Sequence, residues 1–129
     1  MSQENVDKLE VIFDLLFDGR PLGPDLIADD VEWINPPDAV EPGTRSGAVA
    51  FNDAIASIFA AWDDVRFDAE RVIDDGDRVV AIGVLHGHVH SSGMEIDSPH
   101  GQVWTFRDGR VVRMQWFNDH AATMGGAAE

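Results

Sequence analysis

The second half of the chain contains three glycine turn signals, and their positions limit the folds that the chain can adopt. Asp75-Gly76, Ser92-Gly93 and Asp108-Gly109 separate segments that are rich in β-branched and aromatic residues from Val65 onward. Segments of this composition between Gly-containing turns are typical of strands joined by hairpins. We therefore predict an antiparallel meander over the second half.

Apolar periodicity predicts helices in the first half. A stripe with helical spacing ends at Gly19, and Pro21 and Pro24 favour a short second helix that carries Leu26 and Ile27. The stripe consists of Val6, Leu9, Ile12, Phe13, Leu16 and Phe17. Two N-terminal helices are therefore expected.

A short strand and a long helix are predicted next. Val31 to Ile34 has the composition of a strand, which Pro36-Pro37 ends. The Pro- and Gly-containing loop at 36–45 leads to Ser46, which can cap the long helix. The apolar stripe of this helix is Phe51, Ile55, Ile58, Phe59 and Trp62. Helices followed by a meander indicate an α+β fold.

Composition excludes several classes of function. The length of 129 residues predicts one domain over residues 1–129. A formal net charge of −15 disfavours nucleic acids and anionic membranes as partners, and the absence of cysteine excludes disulfides and thiolate metal sites. The first residues lack a secretory signal pattern, and no apolar run approaches the roughly 20 residues of a membrane span. We expect a cytoplasmic protein.

The turn at Asp75-Gly76 predicts which residues share a face of the sheet. As a two-residue hairpin, it places one apolar set on the inner face. This set is Val65, Phe67, Ala69, Val80, Ile82 and Val84. Alternation then carries His86, His88 and His90 onto the same face, about 6.6–6.8 Å apart along the strand.

The turn at Asp108-Gly109 predicts a cavity wall. A three-residue loop with Gly109 in the left-handed conformation pairs Trp104 with Val112 and keeps the apolar residues together. The inner face then holds His100, Gln102, Trp104, Phe106, Val112, Met114, Trp116 and Asn118. A curved sheet with this face covered by the long helix encloses a cavity with aromatic and a few polar side chains, the usual form of a small-molecule site.

A family resemblance rests on four segments and on the order of the elements; the segments are MSQENV at the N-terminus, VEWINPP at 31–37, RSG at 45–47 and VWTFRDGRVVRMQWFNDH at 103–120. In these features the chain resembles the SnoaL-like and ketosteroid-isomerase-like branch of the nuclear-transport-factor-like superfamily. The resemblance implies a cone-shaped α+β barrel around the long helix, an apolar pocket and a homodimer. The branch includes isomerases, dehydratases, epoxide hydrolases and polyketide cyclases, so it implies no single activity.

Residue by residue, the resemblance implies few catalytic groups. Asn35 stands before Pro36, where ketosteroid isomerases carry their proton-shuttling carboxylate, and Gln102 stands near their oxyanion-hole acid. Limonene epoxide hydrolases also have an asparagine that corresponds to Asn35, but Trp116 stands where one of their acids is expected. Asp119 corresponds to the acid–base aspartate of SnoaL-type polyketide cyclases.

The histidines and tryptophans each allow several interpretations. His86 or His88 could be a general base, because an unperturbed histidine titrates near neutral pH. Two or three histidines could instead bind a zinc-type ion, or the group could form a polar rim that exchanges hydrogen bonds with water. This group is His86, His88, His90 and His100. Trp33 and Trp116 suit ligand stacking, whereas Trp62 and Trp104 also suit core packing.

Two functions are therefore expected as alternatives. One is cofactor-independent isomerase, lyase or cyclase chemistry by general acid–base catalysis, with His86, His88, Asn35 and Asp119 as catalytic candidates. The other is non-catalytic binding of a small apolar molecule. Both use a pocket lined by Trp33, Trp62, His100, Gln102, Trp104, Met114, Trp116 and Asn118, with no metal or cofactor.

Overall fold

Three helices and six strands form the fold in a computed structural model that describes residues 2–39 and 42–128. In chain order they are α1 (Ser2–Leu16), β1 (Ile27–Asn35), β2 (Gly43–Ser46), α2 (Ala48–Ala61), β3 (Trp62–Asp75), β4 (Arg78–Val89), β5 (Glu95–Arg107), β6 (Arg110–Phe117) and α3 (His120–Ala128). The predicted α+β class is confirmed. Residues 40 and 41 of the predicted Pro- and Gly-containing loop lie outside the described residues.

The sheet is mixed, so the prediction of a wholly antiparallel sheet is wrong; it is also open, and the expected cone shape stays a prediction. The strand order is β2-β1-β6-β5-β4-β3, which leaves β2 and β3 as edges. β1 pairs with β6 in parallel, with Trp33 beside Met114, and the other neighbours are antiparallel. Hairpin turns set the direction of the strands they join, but the whole meander separates β1 from β6, so no turn sets that pair.

Helices cover both faces of the sheet. α1 and α2 pack on one face through the larger core cluster, which includes Leu9, Phe51 and Trp104. α3, a helix not predicted from the sequence pattern, packs on the other face over a smaller cluster. That cluster consists of Val80, Ile82, Val103 and Phe117. Within residues 2–39 and 42–128, no helix is long and apolar enough to cross a membrane.

The predicted second N-terminal helix is absent from the described residues. Residues 24–26 form a turn, in which the Leu26 and Ile27 amides donate to the Gly23 carbonyl, and β1 then begins at Ile27 rather than Val31. Asn52 of α2 bonds both the N–H and the C=O of Leu22, at 2.9 and 3.0 Å. This side chain satisfies both backbone groups of Leu22 in a non-helical conformation, so tertiary contacts override the proline signal.

The predicted long helix is α2, but it begins differently and is no longer than α1. α2 has 14 residues and α1 has 15. Ser46 belongs to β2, and Gly47 is the N-cap, with a φ of 101° and no side-chain cap hydrogen bond. The Gly47 amide donates to the Val31 carbonyl at 2.8 Å. This positive φ strains any residue with a Cβ, so glycine rather than Ser46 starts the helix.

A bulge in β3 near Glu70 makes the predicted inner face of β4 wrong, and a second bulge lies farther along the strand. The register shifts between Ala69 and Arg71, and again between Asp63 and Arg66. Each bulge adds one residue to β3 and so reverses its alternation relative to β4. The turn lies at Gly76-Asp77, between the paired Asp75 and Arg78, rather than at the predicted Asp75-Gly76. With this turn and the bulge near Glu70, Phe67 pairs with Leu85 rather than with Val84.

The even-numbered residues of β4 therefore lie on the outer face of the sheet rather than on the predicted inner face. Val80 and Ile82 lie in the cluster under α3, on the face opposite α1 and α2. Because side chains alternate along a strand, His86 and His88 lie on that outer face as well. The prediction that they point into the cavity is wrong.

The β5–β6 hairpin has most of the predicted inner face but not the predicted loop, and Val111 rather than the predicted Val112 belongs to the inner core cluster. Asp108 and Gly109 form a two-residue turn with positive φ values of 54° and 77°, between the paired Arg107 and Arg110. A bulge at Val112 then restores the alternation, so that Trp104 pairs with Met114 and not with Val112. The even-numbered residues from His100 to Trp104 and from Met114 to Trp116 therefore share a face, as predicted.

Candidate functional site

A cavity of about 230 Å³ lies between the sheet and the two helices that cover its inner face. All eight residues predicted for the pocket line it: Trp33, Trp62, His100, Gln102, Trp104, Met114, Trp116 and Asn118. Their predicted location is correct, and their binding of a ligand stays a prediction. Asn118 is exposed at the rim, where its amide nitrogen lies 3.5 Å from an Asp38 carboxylate oxygen.

Several lining residues are not among the predicted ones. Leu16 and Phe17 contribute the end of the first apolar stripe, and Leu85 reaches the cavity because of the β3 bulge near Glu70. Ser98 also lines the cavity. It precedes His100 by two positions on the same strand, so extending the alternation across Pro99 would have found it.

His100 is the titratable side chain among the described lining residues. It is 8% exposed, stacks on Trp116 with ring centroids 5.8 Å apart, and meets the edge of Phe67 at 5.5 Å. Burial lowers the pKa of His100 from 6.5 to about 4, because the apolar surroundings disfavour the charged ring. No hydrogen bond of its ring nitrogens is found among the described residues, so a neutral imidazole is available to a ligand.

Gln102 is a hydrogen-bond donor whose orientation is fixed. The Trp104 indole N–H donates to Gln102 Oε1 at 2.7 Å, in the buried part of the cavity wall. An indole nitrogen can only donate, so the oxygen of the amide must face Trp104 and the NH₂ group must face away. Within residues 2–39 and 42–128, no side chain or backbone acceptor takes this NH₂ group. The cavity therefore contains a donor of known direction.

Asn35 supports the cavity wall from outside its described lining. Its Oδ1 accepts the indole N–H of Trp33 at 2.8 Å and that of Trp116 at 2.7 Å. Asn35, which was predicted as a catalytic residue, therefore bonds two lining tryptophans. Because Asn35 is not among the described lining residues, this geometry does not support direct contact between Asn35 and a ligand.

His86 lies on the outer face between two carboxylates. Its Nε2 is 2.9 Å from Asp68 Oδ2, and its Nδ1 contacts Asp97 Oδ1. The hydrogen bond from His86 is the main cause that lowers the pKa of Asp97, with the charge of the ring and other groups adding to it. This cluster is a polar surface feature and not part of the cavity.

The four histidines are not brought together, so the predicted histidine cluster is wrong. His88 Nδ1 lies 3.6 Å from an Asp64 carboxylate, and His90 Nδ1 lies 3.1 Å from Asp63. His100 is on the opposite face, in the cavity. In the part of the chain that the structure describes, no group of three or more His, Asp or Glu side chains is arranged to hold a metal ion.

Asp119 caps α3. Its Oδ1 accepts the Ala122 amide at 2.6 Å, a contact typical of a helix N-cap. The next residue, His120, contacts the Gly83 carbonyl through Nε2 at 2.9 Å. Both side chains hold α3, and neither is part of the described cavity lining, so this geometry gives no support to the catalytic role expected for Asp119, which stays a prediction.

The family model described as a SnoaL-like domain matches residues 22–114. This chain belongs to the SnoaL-like family. The match covers β1 through most of β6, which are the strands that carry the cavity. The family resemblance expected from the sequence is confirmed. No curated protein matches the SnoaL-like chain.

Solved structures support the same fold. A candidate SnoaL-like polyketide cyclase from Jannaschia sp. CCS1 has a TM-score of 0.78 at 22% identity, over 95% of this chain and 90% of that one. TerC, co-crystallised with polyporic acid, has a TM-score of 0.76 at 23% identity, over 98% and 99%. A ketosteroid-isomerase-like protein from Catenulispora acidiphila in complex with trimethylamine has a TM-score of 0.69 at 16% identity, over 92% of each chain. At these identities the likeness concerns the fold alone.

Proposed function

We propose that this SnoaL-like protein binds a small, planar, mostly apolar molecule through one carbonyl-type oxygen. The observation that carries the proposal is a cavity with aromatic walls and one fixed donor, the Gln102 amide NH₂. An acceptor oxygen on the ligand satisfies this donor, whereas a pure hydrocarbon that excludes water from the cavity leaves it without a partner.

The cavity volume limits the size of the ligand. A volume of about 230 Å³ exceeds the roughly 150 Å³ of a cavity that binds benzene, and it is below the roughly 300 Å³ at which sites for drug-sized ligands begin. A molecule with one or two fused rings fits this range. Aromatic walls favour planar ligands, which can stack on Trp116 or meet the edge of Trp33.

The charge of the lining favours a neutral ligand with an oxygen acceptor. The described lining has no Lys, Arg, Asp or Glu, and burial keeps His100 neutral near pH 7. Burying an unpaired ion here is costly. TerC with polyporic acid and the Catenulispora protein with trimethylamine are proteins of this fold that hold small organic molecules. The orientation of Gln102 favours an oxygen acceptor over an amine.

The proposal is tested with 1-indanone and indane, which share a two-ring frame and differ in the carbonyl oxygen. Quenching of tryptophan fluorescence measures both affinities. We expect 1-indanone to bind about tenfold more tightly than indane, the effect of roughly one net hydrogen bond. Gln102→Leu should remove this preference. Gln115→Leu, on the other face of β6, should retain it. Equal affinity for both compounds in the wild-type protein would refute the proposal.

Proton transfer by His100 is a second candidate function, favoured by its position in the cavity without a hydrogen-bond partner among the described residues. A neutral ring can accept a proton from the carbon next to a ligand carbonyl while Gln102 donates to the resulting enolate oxygen. Its low pKa makes it a weak base, so the geometry supports binding better than catalysis. Deuterium exchange at C2 of 1-indanone, followed by NMR, decides between them. Exchange that the protein accelerates and His100→Phe abolishes indicates catalysis, and unaccelerated exchange indicates binding alone.

A further inference from the structure

Two lining tryptophans depend on the same oxygen atom. Trp33 and Asn35 alternate along β1, so their side chains lie on the same face of the sheet. Trp116 comes from the parallel neighbour β6, where Ile34 pairs with Gln115, so Trp116 lies beside Asn35. Both indole N–H groups point to Asn35 Oδ1, at 2.8 and 2.7 Å.

We propose that Asn35 is a positioning residue that fixes the indole rings of Trp33 and Trp116 and keeps their N–H groups out of the cavity. The inference rests on the proposed binding function. With both N–H groups bonded to Asn35, these two walls present carbon surface to a ligand. Apart from Asn118 at the rim, the polar side chains of the described lining are then those of β5, which are Ser98, His100 and Gln102.

The position of Trp116 also affects the polar wall. His100 stacks on the Trp116 ring at 5.8 Å with the two planes 29° apart. Trp33 meets Phe51 of α2 edge-on at 5.2 Å. Asn35 thereby connects the β6 wall, the stacked imidazole and the α2 side of the cavity. An indole that loses its acceptor must turn to find another, because a buried unpaired N–H is unfavourable.

Hydrogen exchange of the indole N–H groups tests the positioning directly and needs no ligand. In Asn35→Leu, which has a similar shape and no acceptor, we expect the Trp33 and Trp116 N–H signals to exchange about tenfold or more faster. Asn35→Asp keeps an acceptor oxygen and should keep both signals protected. The signal of Trp104, whose indole N–H is buried and bonded to Gln102, reports whether the variants are folded. Unchanged exchange in Asn35→Leu would overturn the proposal.

Indane affinity tests the consequence for binding. Asn35→Leu should weaken indane binding about tenfold, whereas Asn35→Asp and the remote Asn5→Leu should stay within about threefold of wild type. In a Trp33→Phe/Trp116→Phe background the walls stay aromatic but lack N–H groups, so Asn35→Leu should have no further effect there. A further loss in that background would refute the proposal. If the wild-type protein binds neither indane nor 1-indanone, the proposed function fails, and the exchange result still decides the role of Asn35.

Discussion

His86 and His100 occur on neighbouring strands, and their surroundings give the two rings different roles. The β4 residue lies on the outer face and contacts Asp68 and Asp97. The β5 residue is buried in an apolar cavity, and its pKa is lowered to about 4. A histidine can therefore be assigned a role only when the face of its strand is known, and the sequence interval between histidines does not settle this.

The burial of His100 predicts a loss of stability at mildly acidic pH. Its pKa is about 4 in the folded chain and 6.5 in the unfolded chain, so the unfolded state binds more protons between these values. The neutral ring causes no penalty above pH 6.5, and the penalty grows as the pH falls towards 4. We expect the free energy of unfolding to fall by roughly 2 kcal/mol from about pH 7 to about pH 4.5 through this group. Urea unfolding at both pH values measures the change.

Two variants separate this effect from the other titrations of the chain. His100→Phe removes the group and should reduce the pH-dependent loss by about the same roughly 2 kcal/mol. His90→Gln removes an exposed histidine on the outer face and should leave most of the loss in place. Equal pH dependence in His100→Phe and the wild-type protein would contradict the burial argument.

The orientation of His86 and His88 predicts that neither contributes to the cavity. The double variant His86→Gln/His88→Gln should bind 1-indanone with an affinity within about twofold of wild type, because both rings lie on the face opposite the ligand. His100→Phe, tested in the same fluorescence titration, should change the affinity. A large loss of affinity in the double variant would show that His86 or His88 contributes to ligand binding and would contradict the outer-face orientation.

The face on which a residue lies could be predicted only where the sequence marks the turns and bulges, or where a changed turn and a bulge offset each other. For β5 and β6, the two-residue turn and the bulge at Val112 together leave His100, Gln102 and Trp116 on the predicted face. For β3, no residue type marks the bulge near Glu70. β4 is buried on both faces from Val79 to Gly83, because α3 covers its outer side, so its hydrophobic pattern carries no face information.

The cavity lining could be predicted from the sequence, but the hydrogen bonds of Asn35 with Trp33 and Trp116 could not. Six of the eight lining residues follow from alternation and from turn positions, both of which are local properties, and Trp33 and Trp62 are the other two. The shared acceptor Asn35 joins residues that are 81 positions apart in the case of Trp116. That contact depends on the parallel pairing of β1 with β6, which no turn in the sequence specifies.

Two adjacent glycines in α3 predict opposite effects of the same substitution. A Cβ at Gly125 meets no atom within 4 Å, so Gly125→Ala should stabilise the protein by about 0.5–1 kcal/mol through helix propensity. A Cβ at Gly126 would lie 2.3 Å from the buried ring of Phe117, so Gly126→Ala should cost about 1–3 kcal/mol by overpacking. Urea unfolding of the two variants checks the difference. Equal stabilities would mean that α3 does not pack on the sheet as described.

At the scale of the whole molecule, the charged side chains and the described cavity lining occupy different parts of the protein. The chain has 24 acidic and 9 basic residues, yet the described lining of the cavity contains none of them. Described ion pairs such as Arg20 with Asp18 and Arg107 with Asp30 join largely exposed side chains. Exposed pairs of this kind contribute little to stability. The excess negative charge therefore acts mainly as repulsion between charges on the folded surface. The homodimer stays a prediction, and two such chains would also have to overcome this repulsion to associate.

This self-repulsion predicts that salt stabilises the protein. Between about 10 and 100 mM NaCl the Debye length falls from about 30 to about 10 Å, which screens repulsion across the surface. We expect the midpoint of urea unfolding at pH 7 to rise over this range. The variant Glu10→Gln/Glu70→Gln, in which two exposed carboxylates become neutral amides, should be more stable at the low salt concentration and should show a smaller rise. A midpoint that falls with salt would mean that attractive pairs outweigh the excess of 24 acids over 9 bases in the folded state.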